Sequence, residues 1–124
     1  PRHFRMDRIR DAECTNRVFA LDETFSLQAH AARSFAAFHN PAEYGPVRWR
    51  FSPKAAAIAA EYVFHPNQTL THEADGSLTV SFEASGWLEM TWFLYQWGAE
   101  VEVLEPALLR DMVHAWRREF PALP

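Results

Sequence analysis

Cysteine occurs once in the 124 residues, at Cys14, so no internal disulfide framework holds this chain together and a reducing, cytoplasmic setting is expected. A lone thiol with no His nearby in sequence reads as a small, inert side chain rather than a nucleophile. Glycine occurs only four times, each where a turn or a cap accounts for it, which leaves no glycine-rich loop to cradle a phosphate. There is no G-x-S-x-G elbow either. The six His fall outside metal-ligand spacing: His65 and His72 lie across a predicted strand start, and His30 and His39 straddle a predicted helix end. These absences predict no enzyme activity, no metal and no cofactor. No apolar run nears the roughly 20 residues that span a bilayer, and no signal-peptide pattern is visible, so no membrane partner is expected.

Positive charge is missing from the middle of the chain. Residues 55–109 hold eight acidic residues and no Lys or Arg, whereas residues 1–54 carry nine basic against six acidic residues, a net +3. Residues 110–124 add +1, which brings the whole chain to −4. An anionic ligand is therefore expected near the N-terminal half. All bases but Lys54 are arginine, the residue whose planar fork fits phosphate or carboxylate. What the chain has in abundance is apolar surface: 48% hydrophobic residues, with ten Phe and five Trp, which suits one domain with a sizeable core and argues against disorder.

Along the chain, PRHFRMDRIR reads as a first strand of imperfect period two, with Phe4 and Met6 on one side and Arg5, Asp7 and Ile9 on the other. Residues 11–25 form a connector. Ser26 is the expected cap of a helix running to about Phe38, with Phe25 as its hydrophobic staple. HNPAEYGP is a loop and marks a boundary, giving units at 1–40 and 41–124. Beyond it VRWRF alternates as a half-buried strand, and Ser52-Pro53 opens an Ala-rich helix over 53–62. A hairpin turns at Asp75-Gly76, its second strand burying Leu78, Val80 and Phe82 and showing Thr79, Ser81 and Glu83. WLEMTWFLYQW is an apolar helix stopped by Gly98, AEVEVLEP a strand, and Pro106 opens a last helix with Leu109, Met112, Val113, Trp116 and Phe120 on one stripe. Residues 47–105 thus predict an α+β fold of order β-α-β-β-α-β, the ferredoxin-like split βαβ: an antiparallel sheet with both helices on one face.

The chemistry gathers on arginine. In FRMDRI, Arg5 and Arg8 flank Asp7, a spacing at which the carboxylate holds one guanidinium rigid for bidentate anion capture; a structural Arg–Asp pair is the alternative. The open sheet face is expected to carry Arg48, Arg50, Thr79, Ser81, Glu83, Glu100 and Glu102, while Trp49, Trp87, Trp92, Trp97 and Trp116 face the core. The acidic pairs Glu100/Glu102 and Glu102/Glu105 read as the solvated side of an amphipathic strand. The candidate ligand-binding set is therefore Arg5, Asp7, Arg8, Arg48 and Arg50.

FRMDRI resembles the closing motif of the WYL domain, an Sm-like β-barrel of bacterial transcriptional regulators. The ordered segments that follow are similar to that family's C-terminal extension, the WCX domain: LQAHAARSFAAF, then VRWRF, the Asp75-Gly76 hairpin, and WLEMTWFLYQWGAEVEVLEPALLRDM. The resemblance implies that residues 1–40 are the end of a WYL barrel and its connecting helix, and residues 41–124 the WCX extension. It further implies the ligand-sensing and dimerisation region of a helix-turn-helix regulator, which reaches promoter DNA through an N-terminal unit absent from this sequence. The implied effector is single-stranded nucleic acid or a nucleotide, met by Arg5 and Arg8 of the motif; Arg48 and Arg50 join them on expected exposure. Alternatives are a purely structural dimerisation module and a small-molecule sensor. The fragment is expected to dimerise or to swap its first strand onto a sheet edge.

Overall fold

The computed structural model describes residues 4–37 and 39–119, with side chains up to His114. Its elements run α1 (Leu27–Ala31), β1 (Gly45–Phe51), α2 (Pro53–Ala59), β2 (Thr69–His72), β3 (Leu78–Ala84), α3 (Trp87–Tyr95), β4 (Val101–Glu105) and α4 (Ala107–Glu119). The four strands make one antiparallel sheet in the order β2-β3-β1-β4. Each β-α-β unit thus skips one position, and the other unit's strand fills the gap, which is the split βαβ arrangement that the punctuation predicts.

Alternation along β1 buries Val47, Trp49 and Phe51 and leaves Arg48 and Arg50 on the opposite face. Leu78, Val80, Phe82 and Ala84 of β3 and Val101 and Val103 of β4 present the same face, and α2 and α3 cover it with Ala55, Ala56, Ala59, Met90 and Leu94. Helix α2 starts where Ser52 accepts a hydrogen bond from the Ala55 N–H and Pro53 occupies the first helical position. Gly76 turns the hairpin at φ 84°, a left-handed conformation that L side chains avoid. The last helix packs on α3 and β4 and contributes Leu109 and Val113 to the core; Trp116 and Phe120 lie outside the described side chains.

Several sequence expectations change. Residues 4–10 do not form a strand. With no neighbouring strand to supply backbone partners, the chain makes a 3-10 turn at Met6–Arg8, where the Arg8 N–H donates to the Arg5 carbonyl at 3.0 Å, and every residue from Phe4 to Ala29 is exposed. The helix after Ser26 is capped as expected, with Ser26 Oγ accepting from the Ala29 N–H at 3.2 Å, but it ends at Ala31. Long-range pairing stops it. Ser34 bridges Ser85 in parallel, with the Phe35 N–H donating to Ser85 O at 2.8 Å and the Ser85 N–H to Arg33 O at 2.9 Å. Phe35 then enters the core against Trp49, Phe82 and Phe93.

Helix α3 ends at Tyr95 rather than Trp97, and Trp92 is 53% exposed instead of buried. Met90, Thr91 and Leu94 define the inward stripe, and a residue two places after Met90 points away from it. Thr79 lies on the open face as expected but is buried, because its register neighbours Arg50 and Thr71 flank it and its hydroxyl donates to Glu73 Oε1 at 2.7 Å.

Candidate functional site

Asp7 grips Arg5 in a fork: Arg5 Nε donates to Oδ1 at 3.0 Å and Nη2 to Oδ2 at 2.5 Å. Both side chains are well exposed, so the pair orients a guanidinium without contributing much to stability. Arg8 follows in the same turn. The hydrogen bonds that the structure defines for residues 4–25 are all local. Among the described residues, no hydrogen bond or ion pair joins this turn to the arginines of β1.

Those two arginines behave differently from one another. Arg50 bonds the far end of the hairpin: Nε donates to Ser77 Oγ at 3.0 Å and Nη2 reaches Asp75 Oδ2. Ser77 in turn donates twice to Asp75 Oδ1, from its hydroxyl at 2.6 Å and its backbone N–H at 3.0 Å. The Ser77 bonds first, and then Arg50, hold the Asp75 carboxyl below its ordinary range. Across the ladder Arg50 also stands opposite Glu102. Arg48 is less engaged. Its Nη1 lies 4.0 Å from Glu105 Oε1, beyond hydrogen-bond range, and its guanidinium makes no hydrogen bond among the described residues. At the other end of the sheet, Glu100 accepts from Ser52 Oγ and from Lys54 Nζ, and these bonds, Ser52's first, keep its carboxyl charged to lower pH than usual.

Arg48 lines a cleft of about 420 Å³ on the open face, with Tyr44, Pro46, Asn67, Ser81 and Glu83 around it. The Arg33 guanidinium sits 4.7 Å over the Tyr44 ring, and Tyr44 Oη donates to Glu83 Oε2 at 3.4 Å, so Tyr44 is positioned by Arg33 from outside the cleft and by Glu83 within it.

Two further residues had no sequence signal. Glu43 caps α3, its Oε2 accepting from the backbone N–H groups of Gly86 and Trp87 at 3.1 and 3.0 Å while Asn40 holds Oε1. His65 is 2% exposed and stacked on Phe82. A carbonyl can only accept and an amide N–H only donate, so the ring is the neutral Nε2–H tautomer: Nε2 donates to Ala32 O at 2.8 Å and Nδ1 accepts from the Asn67 N–H at 3.2 Å. Burial lowers its pKa, opposed by the Ala32 carbonyl. No group of three or more His, Cys, Asp or Glu side chains is placed to hold a metal ion among the described residues, and no described helix is long and apolar enough to cross a membrane.

Comparison with curated proteins finds no match. Residues 43–119, well over half of the chain, match the model of the WCX domain. The chain belongs to the WCX domain family.

Proposed function

We propose that this chain is the ligand-sensing and dimerisation region of a helix-turn-helix DNA-binding transcriptional regulator, responding to a nucleic-acid or nucleotide effector. The WCX match at residues 43–119 supports this reading, because the sequence resembles the C-terminal extension of WYL regulators. Its chemistry is supported by the exposed Arg5–Asp7–Arg8 turn, where a carboxylate orients one guanidinium and leaves a second beside it. Asp7 acts as a positioning residue.

Fluorescence anisotropy of a labelled single-stranded oligonucleotide, titrated at two salt concentrations, tests it. Each arginine that contacts a phosphate adds about one unit to the log–log salt slope. Arg5→Ala and Arg8→Ala are expected to weaken binding and flatten the slope while thermal stability stays put. Absence of binding at low salt overturns the nucleic-acid reading.

A second reading, a module that serves only to pair subunits, is favoured by the Arg50–Asp75–Ser77 cluster, in which a candidate ligand arginine is used to tie the hairpin turn to β1. On that reading sedimentation shows a dimer whose affinity is insensitive to salt, and no oligonucleotide binds.

A further inference from the structure

Two cross-strand rows bound the cleft on the open face. Register places Ser81 between Thr69 and Arg48, with Glu105 beyond Arg48; in the next row Glu83 faces Pro46. Arg48 and Glu83 therefore stand on a diagonal of the β1–β3 pair, where residues lie roughly 7–8 Å apart and Cβ atoms somewhat closer. They form no ion pair with each other among the described residues. Instead each keeps capacity: the Arg48 guanidinium is paired with Glu105 only at 4.0 Å and has no hydrogen-bond acceptor among the described residues, and Glu83 receives the long Tyr44 hydroxyl contact. A cation and an anion are held apart across one cleft with the half-buried Ser81 between them.

Charge decides the class of ligand. A phosphate on Arg48 would meet the carboxylates of Glu83 and Glu105, which flank it in the two rows. A simple cation on Glu83 would meet Arg48. A molecule carrying both a carboxylate and an ammonium satisfies both groups and adds no net charge. The Tyr44 ring and Pro46 give the cleft an apolar wall beside the polar Asn67 and Thr69, and the volume of about 420 Å³ falls within the roughly 300–1,000 Å³ of small-molecule sites. We propose that this cleft binds a small zwitterion, an α-amino acid with an apolar side chain or a dipeptide of the same chemistry, with its carboxylate on Arg48, its ammonium on Glu83 and its side chain against Tyr44 and Pro46. This site goes beyond the nucleic-acid reading and does not depend on it, because that reading is tested at Arg5 and Arg8.

The experiment is an amide-resolved NMR titration of the whole chain with L-phenylalanine, alongside 3-phenylpropionate, which lacks the ammonium, and 2-phenylethylamine, which lacks the carboxylate. Saturable shifts are expected at Thr69, Ser81 and Glu83 with the amino acid, and binding weaker by at least about tenfold, the worth of one charge-assisted hydrogen bond, with either analogue. Arg48→Gln and Glu83→Gln should each cost the amino acid at least about the same factor, with the rest of the spectrum unmoved to show an intact sheet. The proposal is overturned if L-phenylalanine gives no saturable shift, if phenylpropionate binds as well as the amino acid, or if adenosine monophosphate saturates the same amides more tightly.

Discussion

Replacing Phe35 with Ala tests whether the segment ahead of β1 is part of the folded unit, because Phe35 lies outside the stretch that matches the family model. The ring is 7% exposed. It meets Trp49 and Phe93 edge-on, each at 5.6 Å between centroids, and stacks on Phe82 at 6.3 Å. Deleting a buried Phe side chain costs about 3–5 kcal/mol, from lost transfer energy and the cavity left behind. The lower half of that range applies here, about 3–4 kcal/mol, because a segment joined to the sheet by few hydrogen bonds is free to close on the hole. For a folded unit of this size each kcal/mol moves the midpoint by about 4–8 °C, so Phe35→Ala should lower Tm by roughly 12–30 °C. Against a total of about 5–15 kcal/mol this is a large share of the stability. Urea and thermal unfolding followed by tryptophan fluorescence supply the measurement, since Trp49 is a direct neighbour. Phe19→Ala, in the exposed connector, is the control and should change stability by no more than about 0.5 kcal/mol. If Phe35→Ala costs less than about 1 kcal/mol, the segment is an ornament on the sheet and the packing argument fails.

Two other outcomes follow from the titrating groups. His65 is neutral in the fold with a pKa below its ordinary 6.5, so protons favour the unfolded chain: its contribution is complete above about pH 6.5 and is lost as pH falls, by up to about 1.4 kcal/mol per unit until the folded value is passed. Unfolding free energies at pH 7.5 and 5.5 should show a steeper loss for the native chain than for His65→Gln, and equal losses would refute the assignment. For Asp75 the two Ser77 bonds outweigh Arg50, so Ser77→Ala should return its carboxyl titration further toward 3.8 than Arg50→Ala does, read by carbon-detected NMR. The reverse order would show that the ion pair governs the hairpin.

What the sequence shows directly is what neighbours along the chain determine. Pro53 after Ser52, Gly76 after Asp75 and the period-two runs at Val47–Phe51 and Leu78–Phe82 each specify their own backbone, and the strand order follows once the elements are in sequence. The failures share one cause. Phe35 falls within a good helical stretch, yet backbone pairing of Ser34 with Ser85, far along the chain, removes it from any helix. Phe4 and Met6 alternate like a strand, but alternation without a partner makes none. The stacking of His65 on Phe82 and its bond to Ala32 exist only after three separate segments meet.

The same limit reshapes the charge argument. Counted by halves, the chain has a basic end and an acidic body, which points to an anionic ligand on its arginines. Folding interleaves the halves. β1, from the basic half, lies between β3 and β4, from the acidic half, and antiparallel register sets Arg48 opposite Glu105 and Arg50 opposite Glu102. Opposite charges facing across a ladder support the sheet, so the acids are there partly to seat the arginines. The net field of the open face is therefore not that of its arginines, and any ligand there must satisfy both signs at once. Among the described residues, the ion pair within residues 4–10 is that of Asp7 with Arg5. Phosphate recognition by this chain, if salt titration reveals it, should therefore map to Arg5 and Arg8, while the sheet keeps its mixed-charge cleft for a different chemistry.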